Sequence, residues 1–313
     1  MLAADMPTSI AIPSSPWKIP AAGAWVFLLA AAGSASAAPA CLGTAAQIPS
    51  PPHALAMAAF ARQEHEAFGA QTMDAEGRLT SAGDWEAEDV RRSALDLAPW
   101  QRVLGYWQAT GVRLRGTNPD PVAGASEPPS VDTASRRVAV IDAPWSAAFI
   151  SWLARQAGLG PDEFVFSEAH ADYAGAAWRA GLDEAAGLAT RYALRACELT
   201  RTPPRVGDLA CQARDAGAGL DTFDKIGEVL ARRPTGGEPL PMHCDVVVAV
   251  DATGFDTVGG NVLQSVTSRR LAFAPGTTLL DPSYLPEGCT AGAAGCIDRH
   301  MSRQPWSLLL QWR

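Results

Sequence analysis

Three short segments carry side chains of the kinds that make and receive nucleophiles. Pro144-Trp145-Ser146-Ala147-Ala148-Phe149 puts a hydroxyl at the mouth of an apolar stretch, and Gly207-Asp208-Leu209 puts a carboxylate ahead of another. His243-Cys244-Asp245 opens a run of valines, with Gly259-Gly260-Asn261 behind it. A serine at a helix start sits among N–H groups that lack intrahelical acceptors, at the positive end of the helix dipole, where a developing oxyanion is favoured. A histidine on a strand is a candidate base, and an amide on the neighbouring strand a candidate orienting group. Ser146, His243 and Asn261 are therefore the candidate catalytic residues, a triad by role. Each also has a plainer reading: Ser146 as a helix N-cap worth about 1 kcal/mol, His243 as a satisfied core histidine, and Asn261 as a turn residue after two glycines. Trp145, His170 and Asp208 are the candidate cleft-lining residues. Trp145 and Trp152 suit a core better than a carbohydrate platform, His170 also suits an exposed helix face, and Asp208 is expected to hold a strand entry by hydrogen bonds.

The elements that must position these groups can be read from periodicity. Ala54–Phe68 and Pro99–Thr110 have helical spacing of apolar residues, whereas Gly116–Ser135 is rich in Gly, Pro, Ser and Asp and reads as a loop or linker. From Val138 the chain changes character. The run Val138–Ile141 leads to the Ser146 segment, and Ala147–Ala157 reads as a helix stopped by Gly158. Further helices are expected from Ser167 and over Asp183–Leu199, and a loop over Asp215–Pro241. Strands are expected at Leu209–Gln212, Asp245–Asp251, Asp256–Asn261, Arg270–Phe273 and Trp306–Trp312. Helices first and strands after is the order of an α+β fold. A turn at Thr253-Gly254 would fold the central strands into a hairpin that brings Asn261 towards His243.

This order of segments resembles the papain-like cell-wall amidases and peptidases of the CHAP and NlpC type. In those families a Trp-Cys-Ala-Ala-Phe-like motif opens the helix, Gly-Asp precedes the first strand, a histidine starts the next, and Gly-Gly-Asn closes the one after. The resemblance implies a papain-like domain over residues 136–313, with an antiparallel sheet packed on its N-terminal helix and a helical extension and linker over 41–135. It also implies an amide or ester bond as the target and cell-wall peptide as the substrate class. Over a longer span, including Trp100…Tyr106-Trp107, Phe166-Ser167…His170…Tyr173 and Trp306-Ser307-Leu308-Leu309, the chain is similar to an uncharacterised bacterial family, domain of unknown function 2272. The nucleophile of the papain-like families is cysteine, and here it is Ser146. An alcohol does not ionise as a thiol does beside a helix start and a histidine, so serine chemistry at such a site is expected to be slow. The alternative is a catalytically inactive envelope module that binds peptidoglycan or a partner protein. Cys244 offers no substitute thiol, because adjacent strand residues face opposite ways.

The 313 residues are 48% hydrophobic and 19% charged, a globular composition that excludes disorder and collagen-like repeats. A net charge of −8 argues against a nucleic-acid partner. The arginine pairs 91–92, 136–137, 232–233 and 269–270 are expected to be solvated surface. Lys18, the apolar run Ala21–Ala32 and the small residues Gly33–Ala40 have the order of a secretory signal peptide over residues 1–40. The run is too short to span a bilayer, so the mature chain is expected to be exported, periplasmic, and without a membrane span. Cys41 at the cleavage point raises a lipoprotein alternative. Six cysteines suit an oxidising compartment, and Cys289 with Cys296 could close a local loop. No cofactor is expected, and no cysteine spacing is that of a zinc site.

Overall fold

The valine-rich hairpin becomes the middle of an eight-stranded sheet. A computed structural model describes residues 41, 49–112, 129–214, 217, 219–285, 297 and 299–313; the signal-peptide expectation and the Cys289–Cys296 loop lie outside these residues. The strands are β1 (Gln71–Met73), β2 (Leu79–Ser81), β3 (Leu194–Glu198), β4 (Leu209–Ala213), β5 (Met242–Val250), β6 (Gly254–Val262), β7 (Ser265–Ala272) and β8 (Trp306–Trp312). Their order across the sheet is β2-β1-β7-β6-β5-β4-β8-β3. Every neighbouring pair is antiparallel except β1 with β7. Among the described residues there are six α-helices: α1 (Pro52–Ala67), α2 (Pro99–Thr110), α3 (Pro129–Ile141), α4 (Ser146–Gln156), α5 (His170–Ala185) and α6 (Phe223–Arg232). The fold is thus mixed α+β, and among the described residues no helix is long and apolar enough to cross a membrane.

Both faces of the central strands are covered, which is why β4, β5 and β8 read as nearly continuous apolar runs. Along β5, Val246 and Val248 enter the larger core, to which all six described helices contribute, while Val247 enters a smaller one with Phe255, Leu271 and Leu309. This alternation is the period-two geometry of a strand. Helix α4 lies against β5 and β6, and α1 packs on α4 and on β5 to β7. The region before α3 is built into the same sheet and core, since β1 pairs with β7.

Four expectations of local structure need correction. Asp183–Leu199 is not one helix: α5 ends at Ala185, and Leu194–Glu198 is a strand whose Ala196 pairs with Leu310 of β8. Pairing with an apolar strand outweighs a local helical preference there. The loop expected over Gly116–Ser135 runs into α3, whose first residue, Pro129, is a common helix-start signal, and Val138–Ile141 is the last turn of that helix. The loop expected over Asp215–Pro241 contains α6. There Thr222 caps the helix by accepting from the Lys225 N–H at 3.3 Å, and Phe223, Ile226 and Leu230 share one buried face. Finally, the arginine pairs are not all solvated: Arg269 is 4% exposed, and the Arg233 guanidinium is buried against Asp172. Among the described residues there are two disulfides, Cys41–Cys197 and Cys211–Cys244. Cys211 and Cys244 stand directly opposite in the β4–β5 register, so Cys244 is occupied, on the face away from His243.

Candidate functional site

Ser146 is the first residue of α4, not its cap. The N-cap is Trp145, whose side chain makes no capping bond. That work falls to Asn261, which occupies the left-handed region at φ 56° at the end of β6. Its amide, oriented to satisfy both ends, accepts from the Trp145 N–H at 3.1 Å and donates to Glu86 Oε2 at 3.3 Å. Glu86 also accepts from Trp145 Nε1 at 2.6 Å, and burial pushes its carboxyl above the usual range despite that bond. Trp145 itself is fully buried among Phe68, Tyr106 and Phe149, so it packs the core and lines no cleft. The glycines before Asn261 permit this approach. A Cβ on Gly260 would lie 2.7 Å from Trp145 and from Phe149, closer than side chains tolerate.

The Ser146 hydroxyl is therefore free for another partner, and it meets His170. Ser146 Oγ lies 2.7 Å from His170 Nε2. His170 is the first residue of α5, so the starts of two helices meet through these side chains. One turn on, Tyr173 hydrogen-bonds to His170 Nδ1, a pairing set by the i, i+3 spacing of a helix. In the tautomer that carries its proton on Nδ1, towards Tyr173, the ring leaves Nε2 to accept from Ser146. Burial holds His170 well below the usual histidine value, with the charges of His243 and Arg214 adding to the effect. The positive end of α5 works in the same direction. The imidazole is kept neutral, the state in which it can take a proton.

His243 stands next to this pair, with its ring centroid 5.4 Å from that of His170. Its orienting group is Asp245 rather than Asn261: His243 Nε2 donates to Asp245 Oδ1 at 2.6 Å. Residues i and i+2 of a strand share a face, so β5 alone sets this contact. Asp245 is fully buried, with Thr257 Oγ1 donating at 3.1 Å and Arg269 Nε 3.6 Å from Oδ2. Burial alone would raise its carboxyl, but Arg269, His243 and these hydrogen bonds outweigh it and hold it below the ordinary range. Gly259 leaves room for the pair, since a Cβ there would lie 1.8 Å from Asp245 Oδ1.

The structure thus gathers Ser146, His170 and His243 into one cluster and gives Asn261 the task of fixing the helix start. Asp208 is elsewhere. It is fully buried, accepts from the N–H groups of Trp312 and Arg205 at 3.1 and 2.9 Å, and burial raises it to about 6 against the opposing effect of Arg205. It ties β8 to the entry of β4, the hydrogen-bonding role expected of it, and it lines no described pocket. Sequence reasoning missed Asp245, Tyr173, Glu86 and Arg269. The first two had signals in the spacings His-X-Asp and His-X-X-Tyr, whereas Glu86 and Arg269 arrive from distant segments that carry none. Among the described residues, no three His, Cys, Asp or Glu side chains are placed to share a metal ion.

No curated protein and no solved structure matches the chain. The model of a family described as an uncharacterised protein conserved in bacteria, DUF2272, matches residues 95–312. That span covers well over half of the sequence and includes every residue of the cluster, and the chain belongs to this family.

Proposed function

We propose that the protein is an exported serine hydrolase or acyltransferase acting at an amide or ester bond, with cell-wall peptide as the substrate class. The observation that carries this reading is the 2.7 Å contact between Ser146 Oγ, at the start of α4, and a His170 imidazole held neutral. Ser146 Oγ bonds to the carbonyl carbon as its proton passes to His170 Nε2. The oxyanion is held by the N–H groups of the first turn of α4, which have no intrahelical acceptors. Collapse breaks the C–N or C–O bond, and the proton leaves with the amine or alcohol. Water, or an acceptor amine or alcohol, then attacks the acyl-serine, gives its proton to His170 and frees Ser146. A helix opening against an antiparallel sheet, with a histidine at a strand start, also fits a papain-like plan.

A fluorophosphonate probe followed by mass spectrometry tests the assignment. Wild type is expected to be labelled on Ser146 and to release stem-peptide fragments from peptidoglycan slowly, and Ser146→Ala to do neither. Labelling elsewhere, or turnover that survives Ser146→Ala, removes Ser146 as the nucleophile. One observation favours a second reading, the catalytically silent envelope module: Ser146, His170 and His243 are each no more than 5% exposed. Saturable binding to peptidoglycan with neither label nor products would establish that reading instead.

Export is supported by two disulfides, which persist in oxidising compartments. The sulfur of Cys41 cannot hold both a lipid thioether and Cys197, so the mature chain is expected to retain Cys41 without lipid. Intact-mass analysis of the periplasmic protein before and after reduction checks this. A mass carrying a diacylglyceryl group, or an intact Met1 in a cytoplasmic pool, counts against it.

A further inference from the structure

Beside the Ser146–His170 pair, a pocket of about 230 Å³ opens where β4, β5, β6 and β7 come together, many times the space that one water needs. Its polar lining includes Gln212, His243 and Arg269, from three different strands, together with Arg214, Asn261 and Gln304. The topology brings the first three side by side. Gln212 of β4 stands directly opposite His243 of β5, and side chains so paired share one face with Cβ atoms about 4.5–5.5 Å apart. Arg269 comes from β7 and pairs with Asp245, which also accepts from His243.

Three atoms on these side chains are buried without a hydrogen-bond partner: Gln212 Oε1, His243 Nδ1 and Arg269 Nε, on residues 5%, 3% and 4% exposed. Buried polar groups are nearly always paired. The Gln212 oxygen can only accept. His243 donates its Nε2 hydrogen to Asp245 at 2.6 Å, so Nδ1 of the neutral ring can only accept as well. Arg269 Nε can only donate, and Asp245 Oδ2, 3.6 Å away, offsets the guanidinium charge without bonding to that atom. The wall therefore asks for two hydrogens and one lone pair at close quarters. A carboxylate supplies no hydrogen, an ammonium no lone pair, and a hydroxyl one hydrogen only. A primary carboxamide supplies all three, with two N–H groups on one nitrogen and a carbonyl oxygen beside it.

We propose that this pocket binds a primary carboxamide, such as an amidated carboxyl group of a peptide. The two N–H groups are matched by Gln212 Oε1 and His243 Nδ1, and the carbonyl oxygen by Arg269 Nε. The ligand group is neutral, so its selection rests on hydrogen bonds rather than on net charge. His243 both lines the pocket and meets the His170 ring, so a ligand held here lies beside the residue that accepts from Ser146. The pocket's role as a substrate subsite rests on the hydrolase reading; the binding itself does not.

The test titrates the mature protein with N-acetylalanine amide, its methyl-ketone analogue and N-acetylalanine, followed by NMR. The three probes have nearly the same shape, but the ketone lacks the two hydrogens and the acid replaces them with a charge. The primary amide is expected to bind at least tenfold more tightly than either and to shift the His243 ring signals. Gln212→Met replaces an unpaired oxygen with an apolar chain of similar length, so the variant should melt no lower than wild type while losing most of the preference. Met301, 46% exposed on the pocket lining, offers a change that leaves the core untouched, and Met301→Trp should weaken all three probes together. Equal binding of the probes, which leaves water as the occupant, or tighter binding of the acid, overturns the proposal. So does an unchanged preference in a folded Gln212→Met protein, or Met301→Trp without effect. Preference for the amide in a wild type that neither labels nor turns over substrate upholds the pocket and sets the hydrolase reading aside, and labelling of Ser146 without any preference among the probes does the reverse.

Discussion

His170 and His243 are both almost wholly buried and their rings touch, yet their surroundings ask opposite things of them. His170 opens a helix and has only hydroxyls as hydrogen-bond partners, Ser146 and Tyr173. No carboxylate offsets its burial, so the ring is held neutral. His243 opens a strand and donates to Asp245, whose charge is kept by Arg269 and Thr257. The same type of side chain is therefore placed to accept from a hydroxyl in one position and is an oriented hydrogen-bond donor in the other. Exposure alone does not separate them; the charge of the nearest partner does.

The most severe way to break this contrast is to remove the carboxylate. Asp245→Ala leaves Arg269 and His243 buried without their shared partner, and is expected to destabilise the fold by about 3–5 kcal/mol, measured by denaturant unfolding. A loss under about 1 kcal/mol would mean that water already screens the pair. A second experiment sharpens the contrast by pH. His170 titrates at 6.5 when unfolded and well below that when folded, so its contribution to stability is fully present above 6.5 and is lost as pH falls. Asp208 acts in the other sense, since its folded value of about 6 lies above the ordinary 3.8, and stability falls as pH rises between them. His170→Gln removes only the first term. Below pH 6.5 the variant's stability is expected to decline with rising pH relative to wild type. Parallel curves for the two proteins would show that His170 is not held neutral. The mildest change is Asn261→Gly, which preserves the positive φ and deletes the bond to the Trp145 N–H. A loss of about 1 kcal/mol is expected, as for other helix caps, with the His243–Asp245 bond intact by NMR. A displaced His243 resonance would return Asn261 to the role of ring orienter.

Much of the fold was legible because it rests on local patterns. The ranges of α2 and β8 coincide with the periodic segments Pro99–Thr110 and Trp306–Trp312, and the β5–β6 hairpin follows from two apolar runs and a turn. The strand Leu194–Glu198 was not legible, since nothing in Leu-Arg-Ala-Cys-Glu excludes a helix until β8 is beside it. Strands β1 and β2, of three residues each, are too short to carry a period. In the candidate site, Ser146 at a helix start and Asn261 at a strand end after two glycines could be read from the chain. The base that reaches Ser146 could not be read with them. The sequence pointed to His243 as the base and gave His170 only a place lining the cleft, and the 2.7 Å contact puts His170 in the base position instead.

The sequence by itself determined which side chains sit on which element: Ser146 at a helix start, His170 on the helix expected from Ser167, His243 and Asp245 on one face of a strand, Asn261 after glycines. Those placements depend on bond geometry over a few residues, and they hold wherever the elements go. Only the tertiary structure decided the partners, pairing Ser146 with His170, Asn261 with the Trp145 N–H and Glu86, and Arg269 with Asp245. Partnership of this kind depends on distances of a few ångströms between segments tens to hundreds of residues apart. Those distances are set by how the whole sheet and its helices pack, which no local window of the chain contains.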